Sequence, residues 1–403
     1  MEMQPRGHQA VMRLLRKGVD IPNPLTLDIG PDVDTDRISG DGVTIYPGCR
    51  IYGAKTVISA GTVLGAEAPV TIDDCRLGPG VELKGGYFAK SVFLERSNMG
   101  SGAQVREGTL LEEEANGAHC VGLKQTILFP FVTLGSLINF CDCLMASGTS
   151  RKNHGEVGSS YIHFNFTPDG DKTTASLFGD VPRGVMLDQP PIFLGGQGGA
   201  VGPVITGYGT VVAAGSVLRD DVPQDNMLVT SRPLPGFQRP VVPHTYRKLT
   251  RLLEKNVTYM ANLVALREWY VHVRRPFFEA QELGPLVYEG ALEMLASAMR
   301  ERTKRLGAMV AKVSADDPSR AELRERIGDV LALFEEPGTP SGDAFLTAFR
   351  AAVGEQPRDY VSTVQQLPAE ISAAGVRWLQ SIVDDLCTRA AALVPATRAF
   401  TTS

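Results

Sequence analysis

The sequence predicts a β-then-α protein, a stacked coil of short strands followed by a bundle of helices, and three observations carry that prediction. Aliphatic residues recur every six positions in three separate stretches before residue 232. Glycine is unevenly spread, with 34 of the 42 glycines before residue 244 and 8 after it. Past a proline-rich segment, the apolar spacing becomes that of amphipathic helices.

In chain order, residues 1–37 read as an N-terminal helix and lead-in. Their charges interrupt every short apolar stretch, so no signal-peptide h-region forms, and no part of the chain approaches 18 consecutive apolar residues. The expectation is a soluble, cytoplasmic protein without a membrane partner. The six-residue beat starts at Ile45 and Ile51, continues after one extra residue at Ile58 and Leu64, returns at Leu77 and Leu83 and again at Met99, Val105 and Leu111, and closes at Thr206, Val212 and Leu218. A period of six is neither the 2 of a long strand nor the 3.6 of a helix. It suits a coil of short strands and tight corners, with the aliphatic residue inward, a small residue at the crowded wall and glycine at corners. A β-sandwich with glycine-rich turns would instead space its turn signals 8 to 12 residues apart. The coil is expected over 38–231, with loop excursions at about 141–200, where the beat fades.

Residues 232–243 hold four prolines (Pro233, Pro235, Pro240 and Pro243), which forbids a central strand or helix and predicts an extended linker. Residues 244–403 form the helical domain, with apolar stripes from Leu249 to Val273 and Leu286 to Val313, and shorter candidates at 321–335, 343–353 and 368–394. Trp269 and Tyr270 read as core aromatics, and Arg274-Arg275 as a solvated helix end. A net charge of −5 gives no reason to expect nucleic acid. The six cysteines are too few for a disulfide framework, and neither His119-Cys120 nor Cys141-Asp-Cys143 has zinc-site spacing, so no metal is expected.

The stretch from Gly207 to Val222 resembles the closing coils of the hexapeptide-repeat acyltransferases. That family folds as a left-handed parallel β-helix and is usually trimeric. A narrower resemblance is to the acetyltransferase half of the bifunctional glucosamine-1-phosphate acetyltransferase and UDP-N-acetylglucosamine pyrophosphorylase family. It covers about residues 38–240, on Pro130-Phe131, Asn139-Phe140, the Ser150-Arg-Lys-Asn-His154 run, Asn165-Phe166 through Lys172, and Asn226 through Pro235. The resemblance implies a homotrimer using acetyl-CoA as co-substrate, with no metal, to acylate an amino sugar phosphate or nucleotide sugar. It implies substrate contacts from Asn139, Arg151, Lys152, Asn165 and Phe166, and cofactor contacts from Lys172, Gly195, Gly196, Gly198, Ala213 and Ala214. His154 matches the family's base.

The chemistry needs a base for the attacking amine and N–H donors for the oxyanion, and a histidine near its ordinary pKa suits the first task. His154 and His163 both lie in the excursion region. His163 alternates with Ile162 and Phe164, a pattern that points it out of the coil. Departures from the family are also visible. Thr133-Leu134-Gly135 and Cys141-Asp142-Cys143 stand where it has the basic residues that hold the sugar phosphate, Phe166 lacks a tyrosine hydroxyl, and no nucleotide loop precedes the repeats. These departures keep two alternatives open: a sugar-nucleotide-binding or pyrophosphorylase-like β-helix without acetyl transfer, and an oligomeric scaffold.

Overall fold

The computed structural model describes residues 6–354 and 359–400. Residues 28–229 wind into a prism with three walls of parallel strands. The first wall has ten strands, from Thr44–Ile45 through Asn116–Gly117 to Leu228–Val229. The second runs from Asp28–Ile29 through Gly86–Ala89 to Val217–Leu218, and the third from Val57–Ile58 through Thr109–Leu111 to Ile205–Thr206. Two seven-residue strands, Gly122–Leu128 and Asn139–Met145, run over the corner that joins the second and third walls. The fold is the expected one, a left-handed parallel β-helix followed by a helical region. Its first strand is already at Asp28, ten residues before the expected start of the coil at 38.

Each turn presents one aliphatic side chain per wall to the axis, and Ile45, Leu64, Leu83 and Met99 on one wall are fully buried. No single turn could bury them; stacking makes the column continuous. The corner between the third and first walls repeats one left-handed residue per turn: Gly42, Gly61, Gly80, Arg96, Glu114 and Phe131, with φ between 56° and 71°. Glycine takes that conformation at no steric cost, whereas the later three residues each bear about 1–2 kcal/mol. Backbone bonds between turns, such as Glu114 N–H to the Glu95 carbonyl at 2.9 Å, offset it. The corner conformation is therefore periodic even where glycine is not.

The helices are α1 (His8–Lys17), α2 (Val181–Gly184), α3 (Leu249–Trp269), α4 (Arg275–Glu279), α5 (Gly284–Val310), α6 (Pro318–Ala332), α7 (Asp343–Val353), α8 (Tyr360–Gln365) and α9 (Ala369–Leu393). A π-helical turn, Tyr270–Arg274, joins α3 to α4. Helix α6 begins where Asp317 accepts the Arg320 N–H, and α1 ends at Gly18, whose N–H caps Leu14 and Leu15. The linker at 232–243 is exposed throughout and belongs to no strand or helix. No helix among the described residues is long and apolar enough to cross a membrane.

Helix α5 buries Val287, Ala291, Leu295, Ala298, Arg302, Leu306 and Met309, a stripe spaced by three and four, and lies against the third wall. Gly290 lets it approach closely, because a Cβ there would sit 2.4 Å from Arg76 Cδ. Arg76 then donates to the Leu286 carbonyl at 2.7 Å and pairs with Glu293 at 3.0 Å. Further along, Arg274 is buried rather than solvated, which corrects the sequence reading. It pairs with Glu112 at 3.0 Å and with Glu113, and its guanidinium lies 3.9 Å from the Tyr360 ring centre. Trp269 and Tyr270 are core aromatics, as expected. The helical region is thus docked along one wall of the β-helix.

Candidate functional site

The residues singled out from the sequence fall on different parts of the prism. Asn139 opens its strand on the outer face of the second wall and is exposed. It lines an open groove of about 460 Å³ with Gln104, Arg106, Gly122, Ile138 and Cys141. The groove exists because Gly122, in register with both Gln104 and Asn139, puts no side chain between them. Asn139 Oδ1 accepts from the Cys141 thiol at 3.0 Å. Burial pushes that thiol's pKa up to about 12, so it stays protonated and serves as a donor rather than a nucleophile. Arg106 was not found from the sequence, yet it places a cation on the wall that carries Asn139. The signal was available: one turn spans about 18 residues, and two turns before Asn139 lie Gln104 and Arg106. Beyond the groove the same wall exposes Ile162, Phe164 and Val201, and Phe166 is 77% exposed.

Arg151, Lys152 and His154 sit on an antiparallel hairpin, Gly148–Ser150 with Asn153–His154, at the other end of the Asn139–Met145 strand. Arg151 Nη1 donates to the Glu114 and Phe131 carbonyls, both at 3.1 Å, and to Thr133 Oγ1 at 2.8 Å, so it pins the hairpin to the prism corner. Lys152 points to solvent. His154 Nδ1 lies 3.0 Å from the Arg151 carbonyl, which can only accept, so Nδ1 carries the proton in the neutral ring. Its Nε2 lies 3.5 Å from Glu156 Oε2. The hairpin begins nine residues beyond Asn139, past the far end of the bent strand.

His163 points into the column, opposite to the alternation argument. Its strand, Ile162–Phe164, exposes the two apolar residues and buries the histidine. The interior accepts it because both ring nitrogens are satisfied, Nδ1 by the Cys141 carbonyl at 2.6 Å and Nε2 by Ser176 Oγ at 2.7 Å. Phe140 and Phe178 close around it edge-on. Desolvation lowers its pKa to about 4. The unfolded chain takes up a proton near pH 6.5 that the native chain refuses until about 4, so stability falls as pH drops through this window, by about 3 kcal/mol in order of magnitude. Urea denaturation of wild type and His163→Gln at pH 7 and pH 4.5 checks this, and the variant is expected to lose less on acidification.

Asn165 and Lys172 lie where the loop 165–174 meets the helical region. Asn165 Nδ2 donates to Asp142 Oδ2 at 2.7 Å, and Asp142 in turn pairs with Arg302 of α5 at 2.5 Å. Lys172 is half-buried, in left-handed conformation, with its carbonyl accepting from Arg302 at 3.3 Å. The acid at 142 therefore has a partner: its charge is offset by Arg302.

Gly195, Gly196 and Gly198 form a corner packed on the next turn. A Cβ on Gly195 would lie 2.4 Å from the Ala214 nitrogen and 2.6 Å from the Ala213 carbonyl carbon, and one on Gly196 would lie 2.8 Å from the Ser159 carbonyl oxygen. The N–H groups of Gly195, Gln197 and Gly199 are donated to neighbouring turns. Tight stacking alone accounts for these glycines.

Three curated relatives match about half of this chain. The bifunctional protein GlmU of Staphylococcus haemolyticus (strain JCSC1435) is 29% identical over 213 residues, 53% of this chain and 42% of that protein. GlmU of Trichlorobacter lovleyi is 28% identical over 228 residues, and GlmU of Thermotoga maritima 27% over 214. About half of the chain is thus similar in sequence to part of GlmU. The chain spans less than half the length of these GlmU proteins. Among solved structures, a UDP-N-acetylglucosamine acyltransferase from Campylobacter jejuni aligns over 51% of this chain and 67% of its own, at 13% identity and a TM-score of 0.14. No protein-family model matches the chain.

Proposed function

We propose that this GlmU-related protein is a coenzyme A-dependent acyltransferase, transferring acetyl from acetyl-CoA to the amine of an amino sugar phosphate or nucleotide sugar. The observation that carries the reading is the state of His154. With its Nδ1 proton given to the Arg151 carbonyl, Nε2 is the lone-pair nitrogen, and Glu156 at 3.5 Å stabilises the imidazolium that forms when Nε2 takes a proton. In the reaction His154 removes a proton from the acceptor amine as its nitrogen attacks the thioester carbonyl. The tetrahedral intermediate then collapses, the C–S bond breaks, and the proton passes to the coenzyme A thiolate.

The acceptor's sugar and phosphate occupy the second-wall groove, where Arg106 supplies the charge and Asn139 and Gln104 the hydrogen bonds. A groove and a histidine at opposite ends of one bent strand suit a site shared between copies, completed in a homo-oligomer, a trimer as in the resembled family. The exposed Ile162, Phe164 and Val201 beside the groove suit such a contact.

Purified full chain, incubated with acetyl-CoA and a panel of amino sugar phosphates and amino nucleotide sugars, is expected to release free thiol with one class of acceptor. Absence of release with every acceptor overturns the reading. The stretches Thr133-Leu134-Gly135 and Cys141-Asp142-Cys143, standing where the resembled family has basic residues, favour a second reading: a sugar-nucleotide binder without transfer. Calorimetric binding of UDP-N-acetylglucosamine with no binding of coenzyme A selects it.

A further inference from the structure

Beyond the acceptor groove lies a network that ties the helical region to the loop 165–174, and we propose that Arg302 is a positioning residue that holds this loop, and with it Asn165, in the shape that binds acceptor. The inference rests on the acyltransferase reading and assigns a task to the helical region within it.

Arg302 is 2% exposed and occupies a position in the apolar stripe of α5 where an aliphatic residue would fit the spacing. Nη2 donates to Asp142 Oδ1 at 2.5 Å and Nη1 to the Lys172 carbonyl at 3.3 Å. The other oxygen of Asp142 accepts from Asn165 Nδ2 at 2.7 Å. One carboxylate thus bridges the guanidinium and the amide, and it fixes which way the amide faces: the nitrogen is turned to Asp142, leaving Oδ1 to accept from a ligand.

The rest of the loop is held from the same side. Asp171, buried, accepts from Thr167 at 3.1 Å, from Thr173 at 3.2 Å and from Tyr246 at 2.9 Å. Asn256 of α3 donates to the Thr173 carbonyl at 3.3 Å, and Lys312 donates to the Asp169 carbonyl. A loop rich in Pro, Gly and Asp would have several conformations by itself, and a ligand selecting one of them binds more weakly by the fraction populated. The helices prepay that selection. Arg302 is the member that reaches both ends of the loop, through Asp142 to Asn165 and directly to Lys172.

Full-length Arg302→Gln, Arg302→Lys, Asp142→Asn and the double Arg302→Gln/Asp142→Asn variant would be compared with wild type. Two readouts apply: acceptor KM against kcat in the thiol-release assay, and hydrogen–deuterium exchange over 165–174. Arg302→Gln is expected to raise the acceptor KM about tenfold or more with kcat within roughly threefold, and to speed exchange in the loop. Arg302→Lys recovers part of the KM. The double variant removes the stranded carboxylate, so it folds like wild type yet keeps the raised KM. An unchanged KM in Arg302→Gln, or a raised KM without faster exchange, overturns the inference while leaving the acyltransferase reading intact. A wild-type protein inactive on every acceptor overturns both.

Discussion

Arg274→Met is expected to lower the unfolding free energy at pH 8 by about 3–5 kcal/mol, the cost of stranding charge inside a protein. Arg274 is 1% exposed and faces Glu112, Glu113 and the rings of Tyr270, Phe278 and Tyr360. Two carboxylates share one guanidinium, so the cluster carries excess negative charge even in wild type. Desolvation pushes the Glu113 pKa up to about 7 and raises that of Glu112, while Arg274 pulls both down. A raised carboxyl pKa means the native protein holds a proton that the unfolded chain has released above about 4.5, so this cluster costs stability as pH rises from there through 7. The deficit of Arg274→Met should therefore shrink toward pH 5, where the glutamates are protonated. The triple variant Arg274→Met/Glu112→Gln/Glu113→Gln should recover most of the loss. Chemical denaturation across pH 5–8 measures all three effects. A deficit independent of pH, with no rescue, would mean that Arg274 contributes packing rather than charge.

His154→Ala is expected to reduce kcat about 10²- to 10⁴-fold, the usual contribution of a positioned base, with a much smaller change in acceptor KM. Glu156→Gln should reduce kcat less, because it weakens stabilisation of the imidazolium without removing the base. The strongest check is complementation. His154→Ala copies and Asn139→Ala/Arg106→Ala copies should each be nearly inactive alone. Co-expressed, they should regain activity, because some sites combine an intact groove with an intact histidine. No recovery despite demonstrated mixing would place groove and histidine in separate tasks.

The β-helix was legible because its repeat is short and its side-chain requirement strict: an aliphatic residue every sixth position has nowhere to go but the axis. Its start was read late, since Asp28–Ile29 joins the second wall before the repeat has neighbours to compare with. The helical stripes were legible on the same grounds, but the π turn at Tyr270–Arg274 was not, because a one-residue change of helical winding leaves the apolar spacing nearly intact. His163 was misplaced by a sound alternation argument. Its neighbours Ile162 and Phe164 are more apolar than a histidine, yet they face out while it faces in.

The candidate site divides in the same way. Asn139, His154 and Asn165 were singled out through local motifs; Arg106 and Arg302 were not, because each reaches its neighbours across turns or across domains. Arg302 did leave a trace, a charge in the middle of an apolar stripe, and Asp142 left its complement, an acid between two buried cysteines.

By itself the sequence determined the periodic part of this protein: a six-residue coil, a proline linker and amphipathic helices, each encoded by spacing between residues close along the chain. Only the tertiary structure decided where the unpaired charges go. Asp142 with Arg302 and Glu112 and Glu113 with Arg274 are separated by some 160 residues, and the energy of each pair depends on shared burial, which no local pattern reports.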